Sequence, residues 1–236
     1  MGSLVLRLAG PVQSWAGYRL LANSHLTPTA PVPRKSAVAG LVGASIGSRD
    51  LDALAANFDL HVRVDRTNPM ATDFQVVGQL PIAVKPGADR AEKIRQVSAS
   101  AAVPAARNGG NFPTGTAMRG FLPYCEFIVT LTTDDDTTSR WLEAFKEPAF
   151  MPYLGRKANA PAYPFILGTS SAEPPALLAD LPRARSHADV DEQPTVRLYE
   201  VVGDYHSHRH IPLGQVKPPA ATREGQLTWA SQHLSR

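Results

Sequence analysis

The stretch Leu4-Val-Leu-Arg-Leu-Ala-Gly-Pro, continued by Val12-Gln-Ser-Trp15, constrains the fold more than any other part of the chain. Leu4, Leu6 and Leu8 alternate with Val5, Arg7 and Ala9, a period of two that predicts a strand over 3–9 with one clean core face. Gly10-Pro11 ends it. Residues 16–34 have no period and carry Pro28, Pro31 and Pro33, so a loop is expected there. A helix then starts near Ser36 and ends near Gly47. Its Gly40, Gly43 and Gly47 fall three and four apart, lining one side where another backbone can approach closely.

Charge is informative through its distribution, because the net value is only +3. Residues 1–49 hold Arg7, Arg19, Arg34, Lys35 and Arg49 and no Asp or Glu. Between 85 and 119, Lys85, Arg90, Lys93, Arg95, Arg107 and Arg119 face only Asp89 and Glu92. Acids collect instead at Asp134-Asp-Asp136 and around Asp189-Val-Asp-Glu192. Such asymmetry suits a local phosphate-binding surface; ordinary solvated charge is the other reading. Arg34 and Lys35 head the first helix, where the dipole disfavours cations. A bound phosphate would turn that conflict into attraction to side chains and free N–H groups.

Several classes are set aside by composition. The apolar run Val38–Ile46 is far shorter than the roughly 20 residues of a membrane-spanning helix, and Arg7 interrupts what would be a signal-peptide core. A cytosolic protein is expected. A single cysteine, Cys125, gives no disulfide and no zinc spacing, and within a predicted strand it reads as a small hydrophobe. No nucleophile elbow, P-loop lysine or paired-carboxylate pattern is present, so no cofactor and no catalytic residue is expected. The tail His206-Ser-His208-Arg-His210 could bind zinc or copper if it were one extended strand, but lacks a completing ligand and reads as a solvated polar strand.

Further elements are a helical piece over 50–58, strands over 61–65 and 74–80, and an aperiodic excursion over 86–120. A long strand over 121–132 and a helix over 137–147 capped by Asp136 follow. Residues 150–167 are proline-rich and extended, 169–194 form a loop, and 195–202 a strand. The order approximates one ferredoxin-like (RRM-like) βαββαβ unit, an α+β fold, with a long insertion. Domain boundaries are expected at 1–150 for this unit and 151–236 for a C-terminal extension.

Individual side chains point to recognition rather than catalysis. Gln13 and Ser14 offer donors and acceptors, and Trp15 a stacking face; a capped turn with Trp15 as a core lid is the alternative. Tyr153-Leu-Gly-Arg156-Lys157 places an aromatic, a flexible glycine and two cations in a proline-bounded loop. Arg107 and Arg119 flank the glycine-rich tip of the excursion.

These segments, in order from residue 4 to about 168, resemble the Cas-five family of CRISPR RNA-binding proteins, in particular its type I-E Cascade branch. The resemblance rests on Gly10–Trp15, Lys35-Ser36, Val62-Arg-Val-Asp-Arg66, Asp73-Phe74 and above all Tyr153–Lys157 with Pro161 and Pro164. It implies an inserted β-hairpin thumb, which would fall at 86–120. It also implies binding of the 5′ handle of crRNA, contact with backbone CasC and large CasA subunits, and possible contact with target DNA. Carried over as RNA-binding positions are Gln13, Ser14, Trp15, Arg19, Arg34, Lys35, Ser36, Arg107, Arg119, Tyr153, Arg156 and Lys157. Two departures stand out: Arg34 replaces the family's threonine, and Arg119-Gly-Phe-Leu122 replaces Arg-Glu-Tyr-Leu. The rival expectation is a metal-independent endoribonuclease of CRISPR precursor RNA, drawing on His25, His206, His208 or His210 with Lys35 or Tyr153.

Overall fold

The computed structural model describes residues 1–15, 26–78, 114–185 and 195–235. Its centre is a six-stranded antiparallel sheet in the order β11-β10-β4-β7-β1-β8. The strands are β1 (Gly2–Ala9), β4 (Asp59–Arg66), β7 (Glu126–Thr133), β8 (Ile166–Ser170), β10 (Val196–Gly203) and β11 (His208–Val216). Short strands β2 (Val12–Gln13) and β3 (Leu26–Thr27) flank β6 (Thr114–Pro123), and β5 (Ala71–Gly78) pairs with β6. A last pair, β9 (Arg183–Ala184) and β12 (Ala220–Ala221), runs parallel.

β1 is buried on both faces, against the single core face expected from its alternation. Leu4, Leu6 and Leu8 pack with Phe127, Val129 and Leu131 of β7 under helix α1 (Lys35–Ile46) and helix α3 (Asp135–Lys146). Val5 and Ile128 meet Leu177 and Leu178 of α4 (Pro174–Asp180) and Ala230 of α5 (Arg223–His233) on the other side. A half-polar sequence pattern thus became a two-sided core because Arg7, the polar member, is neutralised inside. Its Nε donates to Glu126 at 3.0 Å, and Arg223 of α5 donates to the same carboxylate at 2.7 Å. Burial pushes the Glu126 carboxyl up, but the two guanidiniums outweigh it and hold it below the usual carboxylate range.

The strand expected over 121–132 is two strands. Tyr124 has φ 51° and Cys125 is buried in the break, so β6 leaves the sheet to pair with β5 while β7 enters it. Helix α3 is capped by Asp134, whose Oδ1 accepts from Thr137 N at 2.8 Å, rather than by Asp136. Helix α2 (Leu51–Ala56) is capped by Asp50. The loop expected over 169–194 contains α4, begun by Pro174 at its first turn, where a missing N–H costs nothing. The polar tail is β11 followed by α5. The division expected at residue 150 cuts across the sheet, since β8 pairs with β1 and β10 with β4.

Arg63 in the Val62–Arg66 segment is fully buried. It binds Asp65 at 2.6 Å and donates to the carbonyls of Leu178 and Leu181, closing the C-terminal end of α4 onto the sheet. Among the described residues no helix is long and apolar enough to cross a membrane, and no group of His, Cys, Asp or Glu could hold a metal ion.

Candidate nucleic-acid interface

Helix α1 begins after Pro31 and Pro33 at an extended Arg34 (φ −93°, ψ 149°) and stops at Gly47 in the left-handed region (φ 74°). Val38, Ala39, Leu41 and Val42 face the core. Gly43 is where α2 approaches, since a Cβ there would lie 2.7 Å from Leu51 Cδ2. Gly40 is different: a Cβ there would meet nothing within 4 Å. That uncovered part of the helix floors a groove. One end is a cavity of about 580 Å³ bounded by Gly47, Arg49, Phe150, Met151, Tyr153 and Lys157. The other is a cavity of about 230 Å³ bounded by Ser14, Ser36, Tyr153, Gly155 and Tyr205. Both are lined by Gly40, Ala44, Leu51 and Tyr153.

The Tyr153–Lys157 loop is fixed against the turn after β1. Ser14 N donates to Leu154 O at 3.0 Å, Leu154 is fully buried, and Asn159 Nδ2 donates back to Leu154 O at 3.1 Å. Gly155 has φ 87°, and a Cβ there would fall 1.5 Å from Ser14 O, so only glycine fits. Downstream, Arg7 Nη1 donates to the carbonyl of Pro164 at 3.1 Å. Arg156 Nη2 donates to Gly120 O at 2.9 Å, joining the loop to the base of the β5–β6 hairpin. In that hairpin Arg119 is paired in register with Asp73. Burial lowers the Arg156 pKa, the Arg119 charge lowers it further, and Asp73 partly offsets both. Two guanidiniums near one carboxylate leave an excess of positive charge where β6 meets the loop.

The other cationic cluster is closed. Arg34 and Lys35 are 9% and 6% exposed. Arg34 Nε donates to His208 Nε2 at 2.9 Å, and the Lys35 ammonium lies 5.3 Å from the Phe58 ring centroid. Burial lowers the Lys35 pKa against the pull of Asp59 and Asp204. The phosphate seat expected at this helix N-terminus is therefore covered by β11 and the turn before it, because the tail that looked solvated folds back as a strand. His208 and His210 share that strand, their rings 5.3 Å apart, whereas His206 precedes it and lies 3.1 Å from Asp52.

Trp15 and Gln13 are also interior. Trp15 is fully buried, edge-on to Phe127 with ring centroids 6.4 Å apart, so it is the core lid and presents no stacking face. Gln13 is fully buried, its Nε2 donating to Cys125 O at 2.6 Å and Leu8 O at 3.2 Å, which ties the end of β1 to the start of β7. Ser14, Ser36, Tyr153 and Lys157 line the groove, and Arg119 and Arg156 lie beside it at the hairpin base. Arg19, Arg107, His25 and most of the 86–120 excursion lie outside the described residues. Phe150, Met151 and Tyr205 are groove residues that sequence reasoning missed. Phe150 and Met151, 62% and 77% exposed, had a signal in being apolar residues without a period.

The whole arrangement agrees with what sequence comparison finds. A family model described as CRISPR-associated protein (Cas_Cas5) matches residues 3–227. The chain belongs to the CRISPR-associated Cas5 family. It is 30% identical over 180 residues to the CRISPR system Cascade subunit CasD of Escherichia coli strain K12, covering 73% of each chain. In fold it is similar to a chain of a CRISPR RNA-guided surveillance complex, with a TM-score of 0.66, 24% identity, and coverage of 98% of this chain and 99% of that one. A second solved structure, described as a Cas protein, matches with a TM-score of 0.61 at 23% identity, covering 93% and 98%. Seen as a Cas5-family groove, the site has the elements needed to hold a single-stranded nucleic acid: an aromatic, hydroxyls, a small-residue floor and cations at its margins.

Proposed function

We propose that this chain is a subunit of a Cascade-type CRISPR surveillance complex that grips the 5′ handle of crRNA and does not cut it. The observation that carries this reading is the continuity of the α1 groove with the Arg119–Arg156–Lys157 cations. A kinked phosphate backbone can follow the cations while bases turn toward Tyr153 and the serine hydroxyls. The relationship to the Cascade subunit CasD supports a place in such a complex, and in this reading the chain caps the CasC filament beside CasA. The strand order β8-β1-β7-β4, with α1 and α3 on one face, supports reading the core as a ferredoxin-like βαββαβ unit. In this reading β5 and β6 are the roots of a thumb inserted between its second and third strands. A non-cleaving role is favoured over the endoribonuclease because two of the tail histidines are engaged: His208 with Arg34 and His210 with the Pro33 carbonyl.

The test is binding of a handle-bearing repeat RNA to the full chain at two salt concentrations, with Arg156→Ala/Lys157→Ala beside wild type. Wild type should bind with a steep salt dependence, and the double variant should bind more weakly with a slope reduced by about 2. Salt-independent binding, or metal-independent cleavage of the RNA, would overturn the reading.

A further inference from the structure

We propose that the smaller cavity of the groove takes one unstacked nucleobase, and that Tyr205, from the C-terminal β10–β11 hairpin, is a recognition residue for it. This rests on the reading of the chain as an RNA-binding subunit. Size argues for a single base: about 230 Å³ is below the roughly 300–1,000 Å³ of pockets for drug-sized ligands, enough for one planar ring system and not for a stacked pair. Its lining suits a base as well. Tyr153 and Tyr205 bring aromatic rings, and Ser14 and Ser36 bring hydroxyls that can either donate to or accept from a base edge. The Ser14 hydroxyl makes a long bond, 3.4 Å to Gly120 O, that it can give up. Among the described residues no carboxylate lines the cavity to repel an approaching phosphodiester.

Geometry supplies the route. The cavity shares Gly40, Ala44, Leu51 and Tyr153 with the larger one, whose Arg49 and Lys157 can carry the phosphates past while one base turns in. Tyr205 is held for this by its surroundings: it packs against the core edge, its ring edge-on to His206 at 5.2 Å, inside the Asp204 turn whose carboxylate accepts from the backbone N–H groups of His206 and Ser207. A side chain from a neighbouring protein subunit is the competing occupant.

The experiment is an abasic scan of the handle RNA against the full-length protein, repeated with Tyr205→Ala, Tyr205→Phe and Gly40→Leu. In wild type, removing one particular base should weaken binding about 5- to 150-fold, the range seen for loss of one base–aromatic stack. Tyr205→Ala should show a loss of that size with intact RNA and become insensitive to the abasic site at that position, while Tyr205→Phe stays near wild type. Gly40→Leu fills the cavity from the opposite wall, without touching the hairpin, and should reproduce the Tyr205→Ala pattern even if that variant is poorly folded. Salt-dependent binding with no sensitive position, or one equally sensitive in all variants, overturns the base pocket and leaves the RNA-binding reading standing; a protein-filled cavity gives this flat result. Failure of wild type to bind RNA at low salt overturns both.

Discussion

Arg7, Arg34 and Lys35 in the first fifty residues and the cations near residues 119 and 156 look alike in sequence and behave oppositely in the fold. Arg7 is sealed between two β-strands and neutralised by Glu126; Arg34 and Lys35 are covered by His208, Phe58 and the Asp204 turn. Arg119, Arg156 and Lys157 stand instead where a hairpin leaves the sheet and an irregular loop docks beside it, with Asp73 as the acid near the first two. The lesson is that an acid-free segment is not an uncompensated one. Compensation came from outside the segment, from Glu126 for Arg7 and from Asp59 and Asp204 for Lys35, and the cluster open to a polyanion was the one on the rim. Fixed charges inside a fold are there to close it, and those on its rim are available to a ligand.

The strongest way to break this contrast is to remove the acid that closes the first cluster. Glu126→Ala should leave Arg7 buried without a counter-charge and cost about 3–5 kcal/mol in urea unfolding. An effect under about 1 kcal/mol would mean that Arg7 is not held as described. The same carboxylate has a pH signature. Its folded pKa is depressed, so its contribution is complete above the ordinary glutamate range and is lost as pH falls through the depressed value. Glu126→Gln should flatten that acid limb of the stability profile.

Next in size is Gly155→Ala, which forces a Cβ into Ser14 O at a left-handed φ. A cost of about 1–3 kcal/mol is expected, with weaker RNA binding at every salt concentration because the loop is displaced. A neutral result would detach the loop from the turn after β1.

A smaller effect sharpens the comparison directly. Arg156→Ala should lower RNA affinity and reduce the salt slope by about 1, whereas Arg34→Ala should lower the melting temperature and leave the slope unchanged. Equal slope changes for both would erase the distinction between a closed and an open cluster.

The least expected effect is in the histidine cover. Burial, then the charges of Arg34 and His210, push His208 down from 6.5 to about 4. With a depressed folded pKa, the unfolded chain takes up protons first, so stability should decline as pH falls from about 6.5 toward 4. His208→Gln should decline less over that window in parallel thermal melts, and an unchanged decline would show that Arg34 does not face a neutral imidazole.

Much of the fold was legible locally. The period of two in Leu4–Leu8 requires a strand, the small-residue run after Pro33 requires a helix, and the Trp141, Leu142 and Phe145 stripe places α3 on the core. Family membership was legible too, in the ordered motifs from Gly10–Trp15 to Tyr153–Lys157, and Gly155 among them answers a steric demand of its turn. What stayed hidden was everything set by non-local pairing. The break at Tyr124-Cys125, the second core face of β1 and the return of the histidine tail as an edge strand depend on partners far away in sequence. For the site, Tyr153, Arg156 and Lys157 were legible in sequence because they sit together in one loop segment that resembles the family's. Whether Trp15 stacks on a base or lids the core, whether Arg34 meets phosphate or His208, and whether Tyr205 belongs to the groove at all were decided by burial. Burial belongs to the assembled tertiary structure, because a side chain's exposure is fixed by what packs over it and not by its neighbours in the chain.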